Sequence, residues 1–97
     1  MIEVSRSKSG ITIKGHAGYA PEGQDIVCAA VSTLLQVLIQ SIENLTEDKI
    51  EYEMQPGMGE VKHGNLSESG KLLVDSFFVG IEMISDSYPH HVRLTKH

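Results

Sequence analysis

The chain has 97 residues, 40% of them hydrophobic, and a formal net charge of -5 at pH 7. That length suits one small domain, residues 1–97, with a core of modest size. The acidic balance speaks against the basic face of a nucleic-acid binder and for a basic partner, and a lone cysteine, Cys28, excludes an internal disulfide and points to a reducing, cytoplasmic setting.

The N-terminal residues lack the apolar segment of a signal peptide. Ile2 and Val4 alternate with polar neighbours as a first strand, and residues 7–10 (Ser-Lys-Ser-Gly) turn the chain. Ile11 and Ile13 alternate with Thr12 and Lys14 in a second strand, which predicts a hairpin with the first. Continued alternation puts Gly15 and Ala17 on the Ile face and His16 with Thr12 and Lys14, on the less buried side. Residues 17–24 hold two glycines and a proline and fit no period; with little apolar mass to anchor it, this loop is expected to be mobile.

Asp25 is a good N-cap for the longest helix, which runs to about Asn44. Val27, Val31, Leu34, Leu38, Ile42 and Leu45 form one stripe, and Ile26, Ala30, Leu35, Val37 and Ile39 widen it. Such a helix is expected to be covered on two sides, by the sheet and by another helix or subunit. Ser32, Thr33, Gln36, Gln40 and Ser41 interrupt the run, which reads as too polar to cross a membrane. Ile50, Tyr52 and Met54 make a third strand, Pro56-Gly57 a turn, and Met58 to His63 a fourth strand. Ser67 is the expected cap of a second helix, from about Glu68 to Ser87, with a stripe of Leu73, Phe77, Ile81, Ile84 and Tyr88 and with Pro89 past its end. Val92 and Leu94 alternate in a short last strand. The fold class predicted is α/β (α+β), in the order β-β-α-β-β-α-β. It forms a small two-layer domain, with two helices packed on one face of a mixed, mainly antiparallel sheet.

With Asp25 as cap, Cys28 lies at the third helical position, where free N–H groups and the helix dipole favour a thiolate, the nucleophilic form. A histidine within hydrogen-bond reach, His16, would stabilise that anion and return a proton to a leaving amine. First-turn N–H groups are also candidates for an oxyanion site, and Ser32, one turn on, could fix the thiol rotamer. Each residue also has a plain reading. Cys28 could be a small packing residue, His16 a polar strand end, Asp25 only a cap, and Ser32 bonded back to the helix. His63, His90, His91 and His97 lack metal-ligand spacing, so no metal or cofactor is expected. Met54 and Met58 read as core filler.

Residues 15–20 (Gly-His-Ala-Gly-Tyr-Ala) and 23–32 (Gly-Gln-Asp-Ile-Val-Cys-Ala-Ala-Val-Ser) together resemble the signature of the ribosomal-processing cysteine protease family, a likeness that extends to the length and element order of the whole chain. The resemblance implies a cytoplasmic, homodimeric endopeptidase. It would remove the N-terminal extension of ribosomal protein twenty-seven of the large subunit, with no membrane or direct nucleic-acid partner. It assigns Cys28 as nucleophile, His16 as general base, Asp25 and Ser32 as supporting positions, and Ala17, Gly18, Tyr19, Ala20, Gly23 and Gln24 to a flexible substrate loop. Two competing readings are a non-catalytic ribosome-assembly or peptide-binding module and a purely structural dimeric domain.

Overall fold

The structure, a computed structural model, describes residues 1–21 and 23–96, Lys96 by its backbone alone. Glu22 of the expected loop and His97 lie outside the described residues. The strands are β1 (Ile2–Ser7), β2 (Gly10–Lys14), β3 (Ile50–Gln55), β4 (Met58–His63) and β5 (Val92–Lys96); the helices are α1 (Ile26–Leu45) and α2 (Glu68–Ser87). The sheet order is β3-β4-β2-β1-β5, and every pairing is antiparallel except β1 with β5. That parallel pair follows from α2, which carries the chain across the sheet between β4 and β5.

Period-2 patterning places Ile2, Val4, Ile11, Ile13, Val61 and Val92 on one face of the sheet, where both helices bury their apolar sides. On α1 the buried stripe is Val27, Val31, Leu35, Leu38, Ile39 and Ile42. The expected stripe was centred differently: Leu34 is only half-buried, packing toward Gly80 of α2, and Leu45 is exposed. The reason is that α1 faces the sheet with one side and α2 with another, so its buried arc follows the sheet. Ile26 and Val37 stay uncovered, each 56% exposed. By length and mean hydropathy (1.7) α1 is apolar enough to cross a membrane, contrary to the reading from its polar interruptions. Its packing against the sheet and α2 buries 33% of that span.

β3 is the edge strand of the sheet; its Ile50 packs against the core, while Tyr52 and Met54 are exposed. On α2 the buried residues are Gly70, Val74, Phe77, Phe78 and Ile81; Phe77 and Ile81 belong to the expected stripe, while its Leu73, Ile84 and Tyr88 are half-buried.

Candidate active site

The site begins with the cap of α1. Asp25, in an extended conformation, accepts the Val27 and Cys28 N–H groups on Oδ1, each at 2.9 Å. Its Oδ2 accepts the N–H groups of Tyr19 (3.0 Å) and Ala20 (3.3 Å). One carboxylate therefore closes the helix and ties down the preceding loop. These donors, the Cys28 N–H foremost, hold the Asp25 carboxyl below its ordinary 3.8, with partial desolvation opposing them. Two further members of that loop make contacts: Ala17 is buried, and the Tyr19 ring meets the rings of Tyr88 and His91 edge-on at 5.3 and 5.4 Å.

Cys28 occupies the third position of the helix, as the cap predicted, and is half-buried. Its electrostatics differ from expectation. The first-turn N–H groups of Val27 and Cys28 are already taken by Asp25, so they are not free for an anion. The donor that reaches the sulfur comes from the loop: the Ala17 N–H lies 3.2 Å from Sγ. Ser32 lines the same cavity, but its Oγ accepts the Gln36 side-chain amide at 3.0 Å and the thiol is not its partner.

His16 arrives from the other side. β2 ends at Lys14, and Gly15 adopts φ +99°, a conformation side chains disfavour; a Cβ there would also strike the Met1 carbonyl. Regular strand geometry ends at that glycine, yet the expected burial holds, with His16 exposed and Ala17 buried. The Gly15 N–H donates to the Gly57 carbonyl at 2.9 Å, which joins this segment to the β3–β4 turn. The His16 ring rests on that turn, with Nε2 2.7 Å from where a Gly57 Cβ would stand.

Between these segments lies a cavity of about 570 Å³, lined by His16, Asp25, Cys28 and Ser32 and by Met54 and Met58 of the β3–β4 hairpin. The two methionines, expected as core filler, are walls of this cavity. Gly18, Ala20 and Gly23 of the loop also line it; Ala17, Tyr19 and Gln24 do not. The structure therefore brings His16, Asp25, Cys28 and Ser32 to one cavity, without a direct hydrogen bond between the His16 ring and the thiol. Reaction groups that meet only around a substrate behave this way. Among the described residues no three His, Cys, Asp or Glu side chains converge as a metal site.

Sequence reasoning missed two participants. His91, between α2 and β5, places Nδ1 2.9 Å from the Ala17 carbonyl, and the Met1 nitrogen donates to the His16 carbonyl at 2.6 Å. Neither has a local signal: Ala17 and His91 are 74 residues apart in the chain.

A protein-family model described as cysteine protease Prp matches residues 1–93. The ribosomal processing cysteine protease Prp of Mycoplasma genitalium is 28% identical over 98 residues, spanning 99% of this chain and 96% of that protein. The fold is shared with the essential ribosomal processing protease Prp of Staphylococcus aureus. Its structure with a covalently linked product peptide superposes with a TM-score of 0.89 at 20% identity, over 99% of this chain and 97% of that one. Its structure with a substrate peptide gives 0.83 at 19% identity and the same coverage.

Proposed function

The chain belongs to the Prp family of cysteine proteases, and from that premise we propose that Cys28 and His16 perform its peptide cleavage. It is a cysteine endopeptidase that processes a ribosomal protein. The observation that carries the assignment is the single cavity lined by both side chains, with the sulfur already accepting an N–H from the loop. The Cys28 thiolate attacks the scissile carbonyl carbon, forming a C–S bond. His16, as imidazolium, gives its proton to the amine that leaves as the C–N bond breaks. Water then attacks the thioester while His16 takes its proton, the C–S bond breaks, and the thiolate returns. Asp25 acts through the backbone, keeping Cys28 at the helix start and the loop over the cavity.

The substrate we propose is the precursor of large-subunit ribosomal protein twenty-seven, cut at its N-terminal extension in the cytoplasm. A basic ribosomal chain suits an enzyme of net charge -5. The apolar residues left uncovered on the helix layer, Ile26 and Val37 of α1 with Val79 and Met83 of α2, support a homodimer.

Incubation with the extended precursor, followed by intact mass, tests the reading. The wild type is expected to remove the extension, and Cys28→Ala to capture the precursor without cutting it. Cleavage by Cys28→Ala would overturn the assignment of the nucleophile. An uncut precursor bound equally by both proteins would favour a peptide-binding module.

A further inference from the structure

Resting on the reading of Cys28 as nucleophile, we infer that His91 is a positioning residue: its Nδ1 holds the Ala17 carbonyl and thereby keeps the Ala17 N–H directed at the Cys28 sulfur. Ala17 is pinned at both ends. Its N–H meets Sγ at 3.2 Å, and its carbonyl meets His91 Nδ1 at 2.9 Å. Because a carbonyl only accepts, Nδ1 must carry the proton of that bond. The peptide between His16 and Ala17 is held on its other side too, since the His16 carbonyl accepts from the Met1 nitrogen at 2.6 Å.

His91 is itself a firm anchor. Its backbone N–H donates to the Tyr88 carbonyl at 2.9 Å and its carbonyl accepts the Ile2 N–H at 2.8 Å, so it is fixed to the end of α2 and the start of β1. The Tyr19 ring lies edge-on to its imidazole. Ala17, only 3% exposed, sits where water cannot readily replace a lost partner. Removing the Nδ1–H would let the Ala17 residue rotate. The sulfur would then lose a donor that favours its anionic form.

Two substitutions separate the donor from the ring. His91→Phe keeps an aromatic edge for Tyr19 and removes the N–H; His91→Asn removes the ring but offers an amide N–H near the Nδ1 position. Alkylation of Cys28 by iodoacetamide at pH 7 is followed beside kcat, KM and melting temperature. For His91→Phe we expect alkylation and kcat to fall about five- to tenfold, the worth of one hydrogen bond, with KM little changed. His91→Asn is expected to recover to within about twofold of wild type on the same scale. Wild-type rates in His91→Phe, or equal losses in both variants, would overturn the proposal. Should His91→Phe not fold, nitrogen-15 NMR of the wild-type imidazole decides: a neutral ring protonated at Nε2 would sink it, and an Nδ1–H would support it. The alkylation readout does not depend on cleavage. A Cys28→Ala enzyme that still cuts would refute the nucleophile while leaving the His91 link separately measurable.

Discussion

Helix α1 starts on Asp25 and helix α2 on Ser67, and in both a side-chain oxygen accepts the N–H of the third helical residue, Cys28 in one and Gly70 in the other. Each start also uses a carboxylate to hold a second segment. At α1 it is the capping Asp25 itself, reaching back to Tyr19 and Ala20. At α2 it is Asp48, from the connection between α1 and β3, which accepts the Ser67 N–H at 3.0 Å and hydroxyl at 2.8 Å. The third residue makes the difference. Gly70 is buried and has no room, since a Cβ there would collide with Asp48 Oδ2. Cys28 has a cavity before it and a loop N–H on its sulfur. Capping is thus common to both ends. Chemistry needs a side chain at the third position, space in front of it, and a partner segment brought up to it.

The sharpest way to break this contrast is a methyl group at a glycine beside each site, Gly57 of the β3–β4 turn under His16 and Gly70 in the first turn of α2. Gly57→Ala would place a carbon 2.7 Å from His16 Nε2, on a backbone at φ +75°. The imidazole must move, and kcat/KM is expected to fall about 100-fold, the usual cost of a misplacement of about 1 Å. Gly70→Ala displaces Asp48 from Ser67 and is expected to lower the melting temperature by several degrees while leaving kcat/KM of the folded protein unchanged. Equal catalytic losses in the two variants would mean that the ends do not differ as described.

Asp25→Asn sharpens it next. An asparagine retains one accepting oxygen for Val27 and Cys28, and asparagine caps helices about as well as aspartate. Its amide nitrogen cannot accept from Tyr19 and Ala20. Amide hydrogen exchange at those two residues is expected to quicken about tenfold with little change in melting temperature. Unchanged exchange would mean that the loop is held by other contacts.

The smallest expected effect is on acid stability. The Asp25 and Asp48 carboxyls both lie below 3.8 in the folded chain, Asp25 chiefly through the Cys28 N–H and Asp48 chiefly through the Ser67 hydroxyl. A lowered folded value means each contribution is complete at pH well above 3.8 and is lost as pH falls through the folded values. Urea midpoints should therefore drop on the acid side of that value, and less steeply in Asp25→Asn. A midpoint independent of pH there would contradict the bonding at both caps.

Much of the architecture was legible from pattern. Both caps, Asp25 and Ser67, and the element order follow from residues that act within one turn or one pleat of themselves. The misreadings share a cause. Met54 reads as core filler by composition, and only the sheet order shows that β3 is an edge on which it stays exposed. Leu34 has the right spacing for the core of α1, but α2 lies beside it and Leu35 faces the sheet. The positive φ of Gly15, which ends the regular strand before His16, is foreseen by no alternation rule.

What the residues settled unaided is local: a thiol three places into a capped helix, a histidine upstream in a family-like motif, and the strands and helices around them. A helix cap reaches across three or four residues, so its consequences are written side by side in the chain. The tertiary structure alone decided what surrounds the sulfur. The donor from Ala17 comes from eleven residues away, and the turn beneath His16, the methionine walls and the grip of His91 are contacts between segments that lie far apart in the chain. Such contacts arise when the helices and sheet bury their apolar faces together, and that packing has no signature in any one stretch of sequence.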